Sequence, residues 1–516
     1  MDFSVGLMTL FLGSTFILLL IIFTTKRSQK HPWPPGPPKL PIIGNLHQLQ
    51  KGGPLVHINL AEMAKQYGKT MTVWFGTKPT IFVSDYRSAW EVLVTKATDF
   101  GARSMPYKSR TISAEWRTIS TCDYSEAWYN LRRGAQASFF SPANVLAQTS
   151  YQESDVEQLI RSIEEEAAEN DGVVNPLPRI RKNVVRLIGR LCFGPDFRDE
   201  EFVETMDVII EDTFSKPGLE DRLADLFPFL RHVPGFKQPF REAYKLKRRI
   251  EELISPCLDQ YYSSSSSSKE NYNHYLQFLL SQGFPQEVVI FSLFEMFLLA
   301  VDSTSLTIAW ALAFLIHDQQ IQDKLYKELI GVEYYGKEGA LGMEQVSKMK
   351  YLQGVVKEST RMRPIAPLGI PHKALYDTSL MGERIEAGTT VMVNLYEVLH
   401  DPAVWKEPDR FDPERFLENA PGRPQGKLGD DEEKDHAAMI GAMERSFLPF
   451  GAGRRICAGM ELAKPHVALT LGNLVKAFQW SSTTASEGKI PDVDGDLTFL
   501  LGMKTPLLAK IVPRHT

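Results

Sequence analysis

Phe447-Leu-Pro-Phe-Gly-Ala-Gly-Arg-Arg-Ile-Cys-Ala-Gly-Met460 decides how this chain is read. Cys457 follows a glycine-rich turn (Gly451, Gly453) and an arginine pair, Arg454 and Arg455, and precedes Gly459 and a helix-favouring run. A thiol just before a helix N-terminus meets unpaired N–H groups and the positive end of the helix dipole, which favour its anion. Glycines on both sides let the backbone approach a bulky, flat group. Arg455, two residues upstream, is placed to pair with a carboxylate. Thiolate, close backbone approach and anion clamp together describe a haem iron held by cysteine with a propionate neutralised beside it. The plain alternative is a buried structural cysteine in a Gly/Arg turn.

Working outward, 516 residues suffice for one large domain or two ordinary ones. The content is 43% hydrophobic and 23% charged, as in a globular protein, and a net charge of −5 gives no reason to expect nucleic acid as a partner. Four scattered cysteines (Cys122, Cys192, Cys257, Cys457) have neither zinc-site spacing nor a disulfide framework. They fit a reducing compartment. Residues 3–23 are apolar and uncharged and precede Lys26-Arg27-Ser28-Gln29-Lys30. A run of about 20 such residues spans a bilayer, and the cations after it keep the rest of the chain cytosolic. The order of charge and apolar run is that of an uncleaved anchor, not of a signal peptide. The expected organisation is therefore an anchor over 1–25, a basic and proline-rich hinge over 26–41 and a catalytic domain over 42–516.

The dense prolines of residues 32–41 predict a stiff, extended spacer. Residues 71–83 read as two strands around a glycine turn. Residues 152–169 and 236–258 have helical periodicity, and 284–316 hold the longest helical signal after the anchor. That last run is too polar at Glu295, Asp302 and Ser303 for a simple second span, so a long buried core helix is expected. The serine tract 263–268 and the charged run 420–435 read as surface loops.

The pattern F-x-x-G-x-R-x-C-x-G from Phe450 to Gly459 closely resembles that of the cytochrome P-450 family of haem-thiolate monooxygenases. The resemblance implies a mainly α fold with small β-sheets, haem b (iron protoporphyrin IX) on the Cys457 thiolate, and a contact role for Phe450, Gly453, Arg455 and Gly459. It covers essentially the whole chain, because further motifs follow in the family's order. Trp128-Tyr-Asn-Leu-Arg132 matches W-x-x-x-R, whose Trp and Arg reach a haem propionate, and His372 occupies the propionate position after the E-x-x-R helix. Glu358, Arg361 and Arg415 match the family's buried triad and are expected to serve folding.

On the long helix the resemblance sets Asp302 on the family's acid, Ser303 on its threonine and Thr304 on the next hydroxyl, as the proton relay. Ala300 stands where the family has glycine, and Ser303 keeps the hydroxyl without β-branching. Hydroxyls bonded back to their own helix are the alternative role. The implied activity is oxidation of a small apolar or aromatic molecule with O2 and electrons from NADPH through a partner reductase, in an endoplasmic-reticulum membrane. Arg132, Arg133, Arg454 and Lys464 are candidates for the docking face. Two rivals remain: an O2-independent isomerase or dehydratase of the same fold, and a non-catalytic haem sensor or carrier. Substrate contacts are expected from residues 101–121, 202–233, 365–370 and 498–503; Arg103, Lys108 or Arg117 could recognise a carboxylate or phenolate there, with surface exposure the main expectation for each. The Pro367-Leu-Gly-Ile-Pro-His372 and Pro413-Glu-Arg-Phe416 segments suggest a filamentous-fungal member acting in secondary metabolism.

Overall fold

In a computed structural model the described residues are 33–514, apart from 50–52, 139, 215–224, 228–229, 231–237, 264–273, 332–339, 418–440 and 484–494. The expected anchor, its cationic flank, the serine tract past Ser263, the 420–435 run and part of the 202–233 lining lie outside them. The helices that frame the site are α1 (Val56–Tyr67), α2 (Glu126–Ser138), α3 (Thr149–Glu169), α4 (Pro176–Phe193), α5 (Glu200–Phe214), α6 (Gln238–Ser263), α7 (Gln286–His317), α8 (Lys350–Met362) and α9 (Met460–Ala477).

The strands are β1 (Thr70–Phe75), β2 (Lys78–Val83), β3 (Ala102–Arg103), β4 (Val173–Val174), β5 (His372–Lys373), β6 (Thr378–Leu380), β7 (Glu383–Ile385), β8 (Thr390–Val393), β9 (Phe478–Ser482), β10 (Gly495–Leu497), β11 (Leu501–Met503) and β12 (Ala509–Pro513). One five-stranded sheet runs β1-β2-β8-β5-β3; the others have the orders β4-β12-β9, β6-β7 and β10-β11. The two strands expected over 71–83 are the β1–β2 hairpin, and the small sheets beside many helices match the expected fold class.

The proline-rich run 33–41 is better placed than a free spacer. Thr72 donates its N–H to the Pro35 carbonyl at 2.9 Å and its hydroxyl to the Pro34 carbonyl at 2.8 Å. A Cβ on Gly36 would stand 2.0 Å from the Thr72 carbonyl oxygen, so only glycine lets the chain lie this close. Prolines accept without donating, and here they cover β1, the edge of the large sheet.

Helix α7 organises the core. Its first half packs with α4, α5 and α6 in one apolar cluster, and its second half with α8, α9 and the β9–β12 ladder in another. It is long and apolar enough to cross a membrane, yet 78% of its most apolar window is buried within the protein, so it is the core helix expected from its polar residues. Leu298, Leu299, Ala300, Ser303 and Leu306 are the incompletely buried positions of its middle. Their i, i+3/i+4 spacing makes one stripe on an otherwise enclosed helix, which opens it to an internal cleft.

Candidate active site

Cys457 sits where the chain enters α9. Its own N–H donates to the Phe450 carbonyl at 2.9 Å, closing the loop. The N–H groups of Gly459 and Met460 point at its sulfur, with Arg132 and Lys464 near enough to favour the anion. The protein around it outweighs these and pushes the thiol up, while the residue itself remains exposed. A metal ion there would favour the thiolate. Gly453 has φ +66°, and a Cβ there would lie 1.8 Å from the Leu93 carbonyl oxygen. This close approach fixes the height of the loop against residues 91–95 and explains the glycine. Lys464 lies 5.4 Å from the Phe450 ring centroid, so it covers the loop's outer side.

Around the rim of the same cleft, buried and half-buried cations converge. Arg455 donates to the carbonyls of Gly101 (2.6 Å), Cys122 (2.7 Å) and Ile119 (3.3 Å), and lies 4.5 Å from the Trp128 ring centroid. The indole N–H of Trp128 donates to the Ile119 carbonyl at 3.1 Å. Arg103 is buried, a correction to its expected surface position. It lies on β3 directly opposite His372 on β5, and donates to the Ile370 carbonyl at 2.9 Å. Burial and the facing Arg455 push the Arg103 guanidinium down to about 9, while Arg455 falls to about 10, chiefly through burial. His372 is held down to about 3 by burial and by Arg103, and its Nδ1 meets the Phe100 carbonyl at 2.8 Å.

A guanidinium depressed by its cationic neighbour inside a protein marks a site short of negative charge. A group bearing two carboxylates and a metal fits this donor set: thiol below, Arg103, Arg455 and His372 at one edge, and Arg132 between. The sequence named all of these as haem contacts except Arg103. Its only signal was a basic residue within a predicted lining segment, and the two-residue strand that turns it inward has no periodicity to read.

Ala300 of α7 and Ala458 of the cysteine loop pack against the same apolar cluster. Asp302 is buried and ion-paired with Arg181 of α4. Arg181 also holds Asp207 of α5, at 2.8 Å from its Nε, so one guanidinium joins three helices. Ser303 donates to the Leu299 carbonyl at 2.6 Å, and Ser305 and Thr307 likewise bond back to Val301 and Ser303. Back-bonding is thus the arrangement of these hydroxyls in this structure. Thr304 is buried on the same turn.

The triad is closed. Arg361 forks onto Glu358 at 2.7 and 2.9 Å, and Arg415 reaches Glu358 at 3.0 Å. The Asp412 N–H gives Glu358 a fourth donor at 2.9 Å. Arg361 further donates to the Leu399 and Pro408 carbonyls. The triad thereby ties α8 to the 395–416 segment, well apart from the cleft.

A family model described as Cytochrome P450 matches residues 34–508. The chain is 48% identical over 503 residues to (S)-canadine synthase of Coptis japonica, covering 97% of this chain and 96% of that protein. It is 43% identical to pluviatolide synthase of Podophyllum peltatum (99% and 98% covered) and 46% identical to piperic acid synthase of Piper nigrum (93% and 91% covered). A solved zebrafish cytochrome P450 with progesterone shares the fold at a TM-score of 0.71 and 24% identity, covering 89% of this chain and 99% of that one. The expected fungal affinity is overturned by these plant relatives. The segments that suggested it form part of the triad and the strand pairing of His372 with Arg103, and so do not discriminate source.

Proposed function

The chain belongs to the cytochrome P450 family, and from that premise we propose that it is a membrane-anchored plant-type monooxygenase acting on a small oxygenated aromatic metabolite. The observation that carries this is the exposed Cys457 thiol, bracketed by the Gly459 and Met460 N–H groups at the start of α9. The residues fit haem b, which when bound supplies O2 activation with electrons passed from NADPH by a reductase. Arg103, Arg455, Trp128, Arg132 and His372 would hold its propionates, and the glycines of the loop let it seat. The Asp302 carboxylate, oriented by Arg181, relays a proton to the cleft. Ser303 passes that proton on when its hydroxyl leaves the Leu299 carbonyl. Exposed Arg133 and Arg454 remain for the reductase, whereas Arg132 is turned to Cys457. Residues 3–23 anchor the protein, with the catalytic domain cytosolic at the endoplasmic reticulum.

Canadine, pluviatolide and piperic acid differ in skeleton and share a benzene ring carrying a methylenedioxy bridge. The reaction to test first is therefore closure of that bridge from an adjacent hydroxyl and methoxyl. The substrate loses two hydrogens, and with two more from NADPH and a proton these leave with O2 as two waters. Ala300, Leu306 and the 365–370 segment give such a flat ring an apolar seat. The experiment titrates the ferric protein with o-methoxyphenols, ferulic acid among them, then adds reductase, NADPH and O2. A saturable low-to-high-spin Soret shift and a product two hydrogens lighter are expected. A thiolate-ligated haem that no o-methoxyphenol shifts or yields to would sink the substrate class and leave the family reading standing. Turnover independent of O2 would establish the isomerase or dehydratase rival.

A further inference from the structure

Residues 113–122 run from the 310 turn Tyr107–Ile112 towards α2 and are gripped from two sides. Glu295, buried in α7, accepts the Ile119 N–H and the Ser120 N–H at 2.9 Å each and the Ser120 hydroxyl at 2.5 Å. The Ile119 carbonyl, on the other face, accepts from Trp128 at 3.1 Å and Arg455 at 3.3 Å, and the Cys122 carbonyl from Arg455 at 2.7 Å. The backbone on the two sides of Ile119 is therefore held through an N–H by the helix above the cleft and through a C=O by the residues at the haem edge.

Just upstream, Ala114, Glu115 and Trp116 all adopt left-handed backbone conformations, with φ of 48°, 61° and 62°. Three successive non-glycine residues persist there only where their surroundings over-determine them. Local ties contribute, since Arg117 donates to the Ala114 carbonyl at 2.6 Å and Ser113 accepts the Trp116 N–H at 3.2 Å. The segment is also part of the core beside the middle of α7: Ala114 and Ile119 are buried in the cluster that holds Met296, Phe297 and Val301, against which Ala300 and Ala458 pack.

We infer that Glu295 is a positioning residue: it latches residues 113–122 over the cleft and so sets the fit of the substrate without taking part in haem binding or proton delivery. It lies two helical turns from Asp302 on α7, and its carboxylate is committed to the N–H and O–H groups of this segment. The substrate half of the inference rests on the proposed oxidation of a small aromatic; the latch itself does not.

The test compares full-length holoenzyme with Glu295→Gln and Ser120→Ala. Glutamine keeps the shape but turns one acceptor into a donor facing donors. Ser120→Ala removes a single bond without touching α7. Tryptic cleavage after Arg110 and Arg117 is expected to quicken about tenfold in E295Q and about threefold in S120A. The dissociation constant for ferulic acid, read from the spin shift, rises in the same order, KM follows it, and kcat stays within about threefold. Haem content and the ferrous–CO spectrum stay those of the unmodified enzyme. Unchanged cleavage in both variants overturns the latch. Loss of haem in E295Q with no change in either cleavage or affinity in S120A overturns it too, making Glu295 a folding residue. If the unmodified enzyme gives no shift with ferulic acid, the proposed substrate fails separately and the cleavage rates alone decide the latch.

Discussion

Replacing Arg181 by methionine removes the one cation that joins Asp302 to Asp207 and keeps the length of the side chain. Both carboxylates then remain buried without it, each close to the other's charge. Two consequences follow from that geometry. Breaking a buried pair while leaving its partner costs about 3–5 kcal/mol, a large share of the roughly 5–15 kcal/mol that holds a domain folded. Asp302 also loses an opposite charge and keeps a like one, and both changes raise its pKa. Asp302 is then protonated over more of the pH range, so if its carboxylate relays protons, the acid limb of the kcat profile moves to higher pH. Turnover by the R181M holoenzyme, with reductase at saturating substrate, is measured from pH 5.5 to 8.5 beside equilibrium denaturation. Asp302→Asn cannot titrate and should flatten that limb while lowering kcat by about 10²-fold or more. The double variant R181M/D302N should recover part of the stability lost by R181M, since one uncompensated carboxylate has gone. An R181M profile that overlays the parent's would refute the relay through Asp302, even with the stability loss confirmed.

Glu358→Ala leaves the fully buried Arg361 guanidinium and its neighbour Arg415 without their shared carboxylate; a loss of about 3–5 kcal/mol is expected in denaturant titrations. Arg415→Ala gives up one bond to Glu358 and those to the Lys406, Glu407 and Arg410 carbonyls at a more accessible position, and about 1–3 kcal/mol is expected. Gly453→Ala puts a methyl 1.8 Å from the Leu93 carbonyl oxygen at φ +66°, so the loop must shift. Haem retention during size-exclusion chromatography should fall, while Gly451→Ala, with open space at its Cβ position, should retain more.

The parts of the site written as local patterns were legible in the sequence. The cysteine loop is a contiguous run, α7 announces itself by length, and Glu358 and Arg361 fall on one face of a helix. The third triad member, Arg415, was legible only through the family's P-E-R-F segment, because nothing local says that it folds back onto α8. The pairing of Asp302 with Arg181 was not legible at all: it depends on how α4 crosses α7, and an arginine on an amphipathic helix reads as a surface residue. Arg103 was misplaced for a similar reason. Its strand is two residues long and is inward only because β5 pairs with it. Glu295 was noticed as an acid too polar for a membrane span, but its partners are backbone N–H groups that leave no trace in sequence.

The charges around the cleft make one further quantity decidable. Binding haem through Cys457 requires the thiolate, and the protein around it holds that thiol above its ordinary value. Near neutral pH, therefore, binding releases a proton, and apparent haem affinity should rise about tenfold per pH unit below the thiol's pKa. The other groups at the rim contribute no slope there. Arg103 and Arg455, even at about 9 and about 10, stay charged through pH 7.5. His372, at about 3, stays neutral unless a bound carboxylate lifts it by about four units, which at 1.36 kcal/mol each demands more than 5 kcal/mol from one contact. Apoprotein titrated with haem between pH 6 and 7.5 should thus show a slope of one proton. A slope near zero would mean either that the N–H groups of Gly459 and Met460 already suffice to ionise Cys457 or that His372 takes up the proton the thiol releases. A negative slope would mean that the thiol is already ionised and His372 takes up a proton when the propionates arrive, so that the rim acts as a titrating clamp instead of a fixed one.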